Sequence, residues 1–431
     1  MRKVLLLICI LSTTIYASAQ KIFTTDVDNF WIAYDSIGTT TDSLKQLNFL
    51  NTLYINKGTP GLKAFMEVKG YTPDKYLRTI RSYPKFWSSV RPRTSIIAGI
   101  AKELQPGIRQ LMKCYPALKP ADIYFTIGAL NSSGTTKDNM VLIGAELATG
   151  DQTVDLSELP AGYQKGLASY FNSEPAKNMT LLNIHEYVHT QEKGPGYNLL
   201  SQCIYEGACD FVTWLAMGKL PALPYVTYGP LHEEELKKEF RNEMFAPSWN
   251  KWLYNSASAT RVGDLGYYMG YAICNSYYQR ATNKKKAVRE IIELDYTDST
   301  AVEEFLTGSG YFNPPINKTA IIQHYDSLRP YVTGIAPFNN NDSLVDPATQ
   351  ELRILFSAEM NPAKAAMDLG PGGKEQNPIA SRIGFIDNRK SIAYKIHLLP
   401  DHIYSIVVTD GFQSADGYPL KPYTITFKTG K

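Results

Sequence analysis

The stretch His185-Glu186-Tyr187-Val188-His189 constrains this chain more than any other part of it. A helix advances about 100° per residue, so the two histidines fall on one face, one turn apart. Imidazoles in that relation can share a single tetrahedral cation, typically Zn2+ at about 2.0–2.1 Å. Glu186 follows the first histidine. It is placed to take a proton from a water beside the metal without ligating the metal itself, which is the work of a general base. The residues before the motif, Met179-Thr180-Leu181-Leu182-Asn183-Ile184, are mostly apolar. The helix is therefore expected to be buried, and buried histidines need partners. With only six histidines in the chain, a chance occurrence of this pattern is rare.

A second helix is expected around Tyr205-Glu206-Gly207-Ala208-Cys209-Asp210-Phe211, where Ile204, Ala208, Phe211, Val212 and Leu215 recur at helical spacing. Glu206 has the charge and chemistry of a third protein ligand. With His185 and His189 it would leave one coordination position open, as catalytic zinc sites do. Asp210 lies one turn further along the same face. It is expected to accept the distal N–H of a ligating histidine and so to orient it.

These two segments resemble the gluzincin arrangement of thermolysin-like peptidases. A longer set of motifs is more specific. It comprises Ile123-Tyr124-Phe125-Thr126-Ile127-Gly128, Gly134-Thr135-Thr136, Leu142-Ile143-Gly144-Ala145-Glu146, His185 to Gln191, and Gly266-Tyr267-Tyr268-Met269-Gly270-Tyr271. Over most of residues 25–330 the chain resembles a family of predicted Zn-dependent proteases of otherwise unknown function, distantly similar to the gliding-motility lipoprotein GldB. The resemblance implies a zincin-type fold and proteolysis. It does not bring a substrate with it.

Mixed helical and alternating patterns make the expected class α+β. Residues 20–120 read as helices, interrupted at Pro60, Pro73, Pro84 and Pro92. Strands are expected at 123–128 and 141–144, with a polar loop from Gly128 to Asn139 between them. One of these strands is a candidate to receive a peptide as an added strand. The metal helices occupy 176–218, broken at Lys193-Gly194-Pro195-Gly196. A charged helix is expected from His232 to Arg241 and a tyrosine-rich one from Gly263 to Arg280. Tyr268 and Tyr271, three apart on one face, are the candidates for stabilising the oxyanion of a tetrahedral intermediate, with Tyr267 and His232 as further possibilities.

From about Gly334 short alternating segments take over, at 352–357, 403–408 and 423–427, with a tight turn at Asp416-Gly417. Phe356 to Asn361 and Gly417 to Gly430 resemble a strand and the closing strand of a bacterial Ig-like domain. The expected organisation is thus a zincin-like metallopeptidase domain over 20–332 and an Ig-like β-sandwich over 333–431. The sandwich is expected to contact the cell envelope, a polysaccharide or the catalytic domain.

Residues 1–19 read as a secretory signal. Arg2 and Lys3 give the charged start, Val4 to Leu11 the apolar run, and Ala17-Ser18-Ala19 a cleavage site before Gln20. The apolar run is too short to span a membrane. A secreted or periplasmic protein is expected, without stable membrane insertion. Cys9 lies within the apolar run, so no lipid anchor is expected. Cys114, Cys203, Cys209 and Cys274 remain after cleavage. Export permits disulfides, but Cys203 and Cys209 point to different helix faces and are not expected to pair. A formal charge of +3 gives no nucleic-acid footprint. The expected activity is hydrolysis of peptide or protein substrates, with Zn2+ as cofactor. The alternatives are a zinc amidase or deacylase, and a non-catalytic envelope or gliding-accessory protein that keeps a zinc site.

Overall fold

The computed structural model describes residues 20–256 and 261–431. The expected signal segment lies outside them. Among the described residues no helix is long and apolar enough to cross a membrane. The chain is α+β and divides into two units. The first spans residues up to 237 and 252–315. The second combines 238–251 with 316–431, so it takes in a helix, Lys318–Leu328, that precedes the expected boundary at 333.

The first unit is mainly helical. Pro60, Pro73 and Pro84 begin helices rather than merely interrupting them: Pro60–Lys69, Pro73–Ser82 and Pro84–Thr94. Proline suits the first helical turn, where its missing N–H is not needed. Thr59 and Thr72 cap the first two of these by accepting from the backbone N–H groups of Leu62 and Lys75. Their inner faces gather an aromatic core in which Phe30 packs on Trp31, Tyr54 and Trp87, all buried.

Against these helices lies a four-stranded sheet. Strand β1 (Ile22–Phe23) runs parallel to β2 (Asp122–Thr126), and β2 parallel to the strand Met140–Gly144. The expected loop between the last two contains a strand, Gly134–Lys137, paired antiparallel with Met140–Gly144. In chain order these two are β3 and β4. Asp138, at φ 52°, turns the chain between them, a backbone that aspartate tolerates in a two-residue hairpin. The order β1-β2-β4-β3 leaves β3 at the sheet's edge.

Three helices complete the frame: a motif helix, Pro175–His189, a glutamate helix, Leu199–Met217, and a tyrosine helix, Leu265–Arg280. The glutamate helix starts at a capping box in which Asn198 and Ser201 satisfy each other's backbone N–H groups. It meets the tyrosine helix at two glycines. A β-carbon on Gly207 would lie 2.1 Å from the Tyr271 nitrogen, and one on Gly270 would lie 1.7 Å from the Cys203 oxygen. The two backbones touch there, which only glycine permits.

The second unit holds two further sheets. One has the order β5-β6-β9-β8, from Val332–Ala336, Glu351–Phe356, Ser391–Ile396 and Ile379–Ile386, paired antiparallel throughout. The other has the order β11-β10-β7, from Tyr423–Lys428, Ile403–Val408 and Met367–Leu369. Both sheets contribute to one apolar core that includes Leu352, Ile354, Ile392, Val408 and Ile425.

Candidate metal centre

The motif helix is buried along the face that carries Leu181, Ile184 and Val188. His185 and His189 sit at its C-terminal end with ring centroids 4.9 Å apart. The glutamate helix presents Glu206 to both. Glu206 Oε2 lies 3.4 Å from His185 Nε2 and 3.2 Å from His189 Nε2. Two donors held about 2.0–2.1 Å from one tetrahedral ion lie about 3.3 Å from each other. Glu206 Oε2 therefore stands from each of the two nitrogens at the spacing of donors that share a cation.

Each histidine is held from behind by a carboxylate. Asp210 Oδ1 is 2.8 Å from His185 Nδ1, and the Tyr225 hydroxyl donates to the other Asp210 oxygen at 2.8 Å. Glu192 Oε2 is 2.6 Å from His189 Nδ1. Glu206 is itself braced, since the Tyr254 hydroxyl donates to its Oε1 and the Gln202 amide donates to that hydroxyl at 2.7 Å. Tyr254 reaches it from a left-handed backbone conformation, φ 57°, uncommon outside glycine.

His185, His189 and Cys209 also lie close enough together to hold a metal ion. Cys209 Sγ, however, approaches His189 at Nδ1, 3.2 Å away, on the side occupied by Glu192. Burial pushes this thiol well above its ordinary range, so a thiolate is disfavoured. Glu206 is the better anionic donor. Burial alone would raise its carboxyl, but the charge of His189 and hydrogen bonds from both imidazoles hold it well below the usual range.

The imidazoles answer in kind. Burial opposes their charge, but Asp210 and Glu206 raise His185 to about 9. Cys209, Glu206, Tyr205 and Glu192 push His189 well up against the same penalty. Three buried carboxylates around two imidazoles draw positive charge, which protons or a cation can supply.

Beside the histidines opens a cavity of about 520 Å³, whose wall includes His185, Glu186, Asp210, Tyr225, Tyr267 and Arg261. Glu186 is half-buried in that wall. It lies against the edge strand, where a β-carbon on Gly134 would come 3.2 Å from Glu186 Oε1. The Tyr267 ring sits 6.1 Å from that of His185, and its hydroxyl takes no hydrogen bond among the described residues. Burial, then the charge of Glu206, push that hydroxyl's pKa far up, so it stays a donor.

The structure thus brings His185, Glu186, His189, Glu206 and Asp210 together. It does not bring Tyr268 and Tyr271 into this cavity. Tyr268 donates to Glu233 at 2.9 Å, and Tyr271 packs against Phe211 and Trp214. One residue turns a helix by about 100°, so the neighbouring Tyr267 faces the histidines instead. His232 also lies elsewhere, stacked on Tyr228 at 3.8 Å. The four cysteines are free.

Glu192, Tyr225 and Tyr254 escape the sequence reading. Glu192 lies three residues past His189, and that spacing alone could have found it. Tyr225 and Tyr254 arrive from other segments of the first unit and carry no local signal.

No protein-family model matches the chain, and neither does any curated protein. Among solved structures, CopC from Methylosinus trichosporium OB3b is similar at 15% identity over 24% of this chain and 94% of that one, with a TM-score of 0.20. The S-layer protein SbsC is similar at 12% identity over 66% of this chain and 39% of that one, with a TM-score of 0.19. At such scores neither bears on fold or function.

Proposed function

We propose that this chain is an exported zinc-dependent metallopeptidase, a zincin-type domain followed by an Ig-like β-sandwich. The observation that carries this reading is the approach of Glu206 Oε2 to both His185 Nε2, at 3.4 Å, and His189 Nε2, at 3.2 Å, beside a cavity walled in part by Glu186. Two sheets around one core support the sandwich. The N-terminal Arg2-Lys3, the apolar run and Ala17-Ser18-Ala19 support export.

His185, His189 and Glu206 would hold the zinc. When bound, zinc lowers the pKa of a water towards about 7 and polarises a carbonyl. Glu186 accepts the water's proton as the water attacks the scissile carbonyl, and returns it to the leaving amine. The Tyr267 hydroxyl donates a hydrogen bond to the developing oxyanion. Asp210, tied to Tyr225, keeps His185 in the tautomer whose Nε2 faces Glu206. The outer edge of β3 pairs with no other strand among the described residues. It receives the peptide as an added strand alongside Glu186.

The test is metal content and hydrolysis of denatured casein or a quenched peptide library, comparing the wild type with Glu186→Gln and Glu206→Ala. The expected result is about one zinc per chain, with Glu186→Gln inactive but still loaded and Glu206→Ala unable to retain zinc. A wild-type protein that takes up no zinc would sink the assignment. Equal activity in wild type and Glu186→Gln would remove the mechanism.

A further inference from the structure

Glu192 is a buried carboxylate that the mechanism above does not use. Its side chain is 0% exposed. The motif helix ends at His189, but a further backbone bond, Glu192 N–H to the His189 carbonyl at 3.3 Å, carries the turn on. That extra turn brings Glu192 Oε2 to 2.6 Å from His189 Nδ1. The other oxygen, Oε1, is buried and meets no donor in good hydrogen-bond geometry among the described residues; the Tyr296 hydroxyl beside the carboxylate donates to the Ile291 carbonyl at 2.8 Å. A carboxylate buried with one oxygen unsatisfied is expensive to keep. Its shortest hydrogen bond is the one to His189, at 2.6 Å. Cys209 completes the group, with Sγ 3.5 Å from Glu192 Oε2, where the thiol donates to the carboxylate. The His189 ring is also stacked on Tyr205 at 4.3 Å, which fixes its plane.

We propose that Glu192 is the positioning residue for His189: by accepting the Nδ1 proton it fixes the tautomer and aims the Nε2 lone pair at Glu206 and the zinc. The proposal rests on the zinc reading above. A metal-bound histidine commonly gives its other N–H to a carboxylate, which orients the ring and strengthens the ligand. Here the two histidines have separate carboxylates, Asp210 on one helix and Glu192 on the turn after the motif, so each ligand is held independently. Cys209 on this account steadies Glu192 from behind His189 and is not itself a ligand.

The experiment uses the full protein with zinc alone as the probe, read by competition with a fluorescent chelator, and with Co2+ as a spectroscopic substitute. Glu192→Gln keeps the shape and loses the charge, and Glu192→Leu loses the hydrogen bond as well. Zinc affinity should fall about 10-fold in the first and up to about 100-fold in the second, with a shifted cobalt spectrum and an unchanged circular-dichroism spectrum. Should either variant misfold, histidine-selective 15N NMR of the zinc-loaded wild type carries the test. His189 should hold its proton on Nδ1. Unchanged affinity and cobalt spectrum in both variants, or a proton on Nε2, overturns the proposal. A wild type that binds no zinc overturns the metal reading itself, whereas a zinc-binding wild type with indifferent variants overturns Glu192 alone.

Discussion

Gly207→Ala is the smallest change that should disable this site from outside it. Gly207 follows Glu206 directly, and its missing side chain lets the glutamate helix touch the tyrosine helix. An added β-carbon would meet the Tyr271 nitrogen at 2.1 Å and the Gly270 carbonyl carbon at 2.2 Å. Ordinary contact begins near 3.4 Å, so the helices must separate by roughly 1.3 Å. The obstacle is backbone, which cannot rotate away as a side chain can. Overpacking of this kind costs about 1–3 kcal/mol, and the upper end applies here. At about 2–4 °C per kcal/mol, melting should fall by on the order of 10 °C. The shift also carries Tyr267 away from Glu206, and a displacement of about 1 Å can lower turnover roughly 100-fold. The assay is scanning calorimetry together with peptide hydrolysis. The controls are Gly99→Ala and Gly162→Ala, exposed helical positions where an added β-carbon meets nothing within 4 Å. These should gain about 0.5–1 kcal/mol, as alanine does over glycine in a helix. A Gly207→Ala protein that melts with the wild type and hydrolyses peptide at its rate would refute the contact as described.

Three further outcomes follow from the site and its surroundings. His185 stands at about 9 against an ordinary 6.5, so the zinc-free protein is stabilised by that proton below about pH 6.5 and loses this as pH climbs through 9, while zinc affinity rises over the same window because fewer protons must be displaced; chelator competition showing flat affinity from pH 6.5 to 9 would contradict this. Glu146 is buried and raised by desolvation to about 7 from 4.5, despite accepting from the Gly128 and Leu130 N–H groups. Its folded pKa lies above the unfolded one, so stability falls as pH rises from 4.5 through 7, by up to about 3 kcal/mol. Glu146→Gln should flatten that slope in urea titrations, at about 1 kcal/mol lower stability near pH 5 for the lost acceptor, and an unchanged slope would show that the carboxyl is not the source. Tyr267→Phe should lower kcat about 100-fold with zinc retained, while Tyr271→Phe leaves kcat near wild type; the reverse order of effects would reassign the oxyanion donor.

The parts of the site readable from sequence are those in which helical spacing does the positioning. His185 and His189 share a face because they lie one turn apart, and Asp210 follows Glu206 for the same reason. Glu192 obeys that spacing too, and it lies just before the break at Lys193-Gly194-Pro195-Gly196, but spacing alone does not distinguish a partner of His189 from an ordinary solvated carboxylate at a helix end. The tyrosine helix was opaque for a different reason. Leu265, Gly266, Tyr268, Met269, Gly270, Ala272, Ile273 and Cys274 are all buried, so apolar periodicity marks no single inward face and cannot choose among Tyr267, Tyr268 and Tyr271. Strand β3 carries Gly134, Thr135, Thr136 and Lys137. It has no apolar alternation, and its place comes from pairing with β4. Tyr225 and Tyr254 reach the site from segments whose own sequence says nothing of a metal.

The division of labour among these residues explains why the site can be both buried and charged. Burial of Glu192, Glu206 and Asp210 in an apolar frame is unfavourable unless each carboxylate has a positive or donating partner. Asp210 has His185 and Tyr225, Glu206 has both histidines and Tyr254, and Glu192 has His189 and Cys209. Each imidazole therefore links two carboxylates, one at each nitrogen, and Glu206 is the carboxylate common to both. Such a chain fixes the two Nε2 atoms relative to one oxygen without any single strong bond. Its stability depends on positive charge at the centre, and the surrounding donors hold that centre open beside Glu186 and the cavity. The glycine contact between the glutamate and tyrosine helices then sets the one remaining distance, from Glu206 to Tyr267, by backbone against backbone, the least compliant means a protein has.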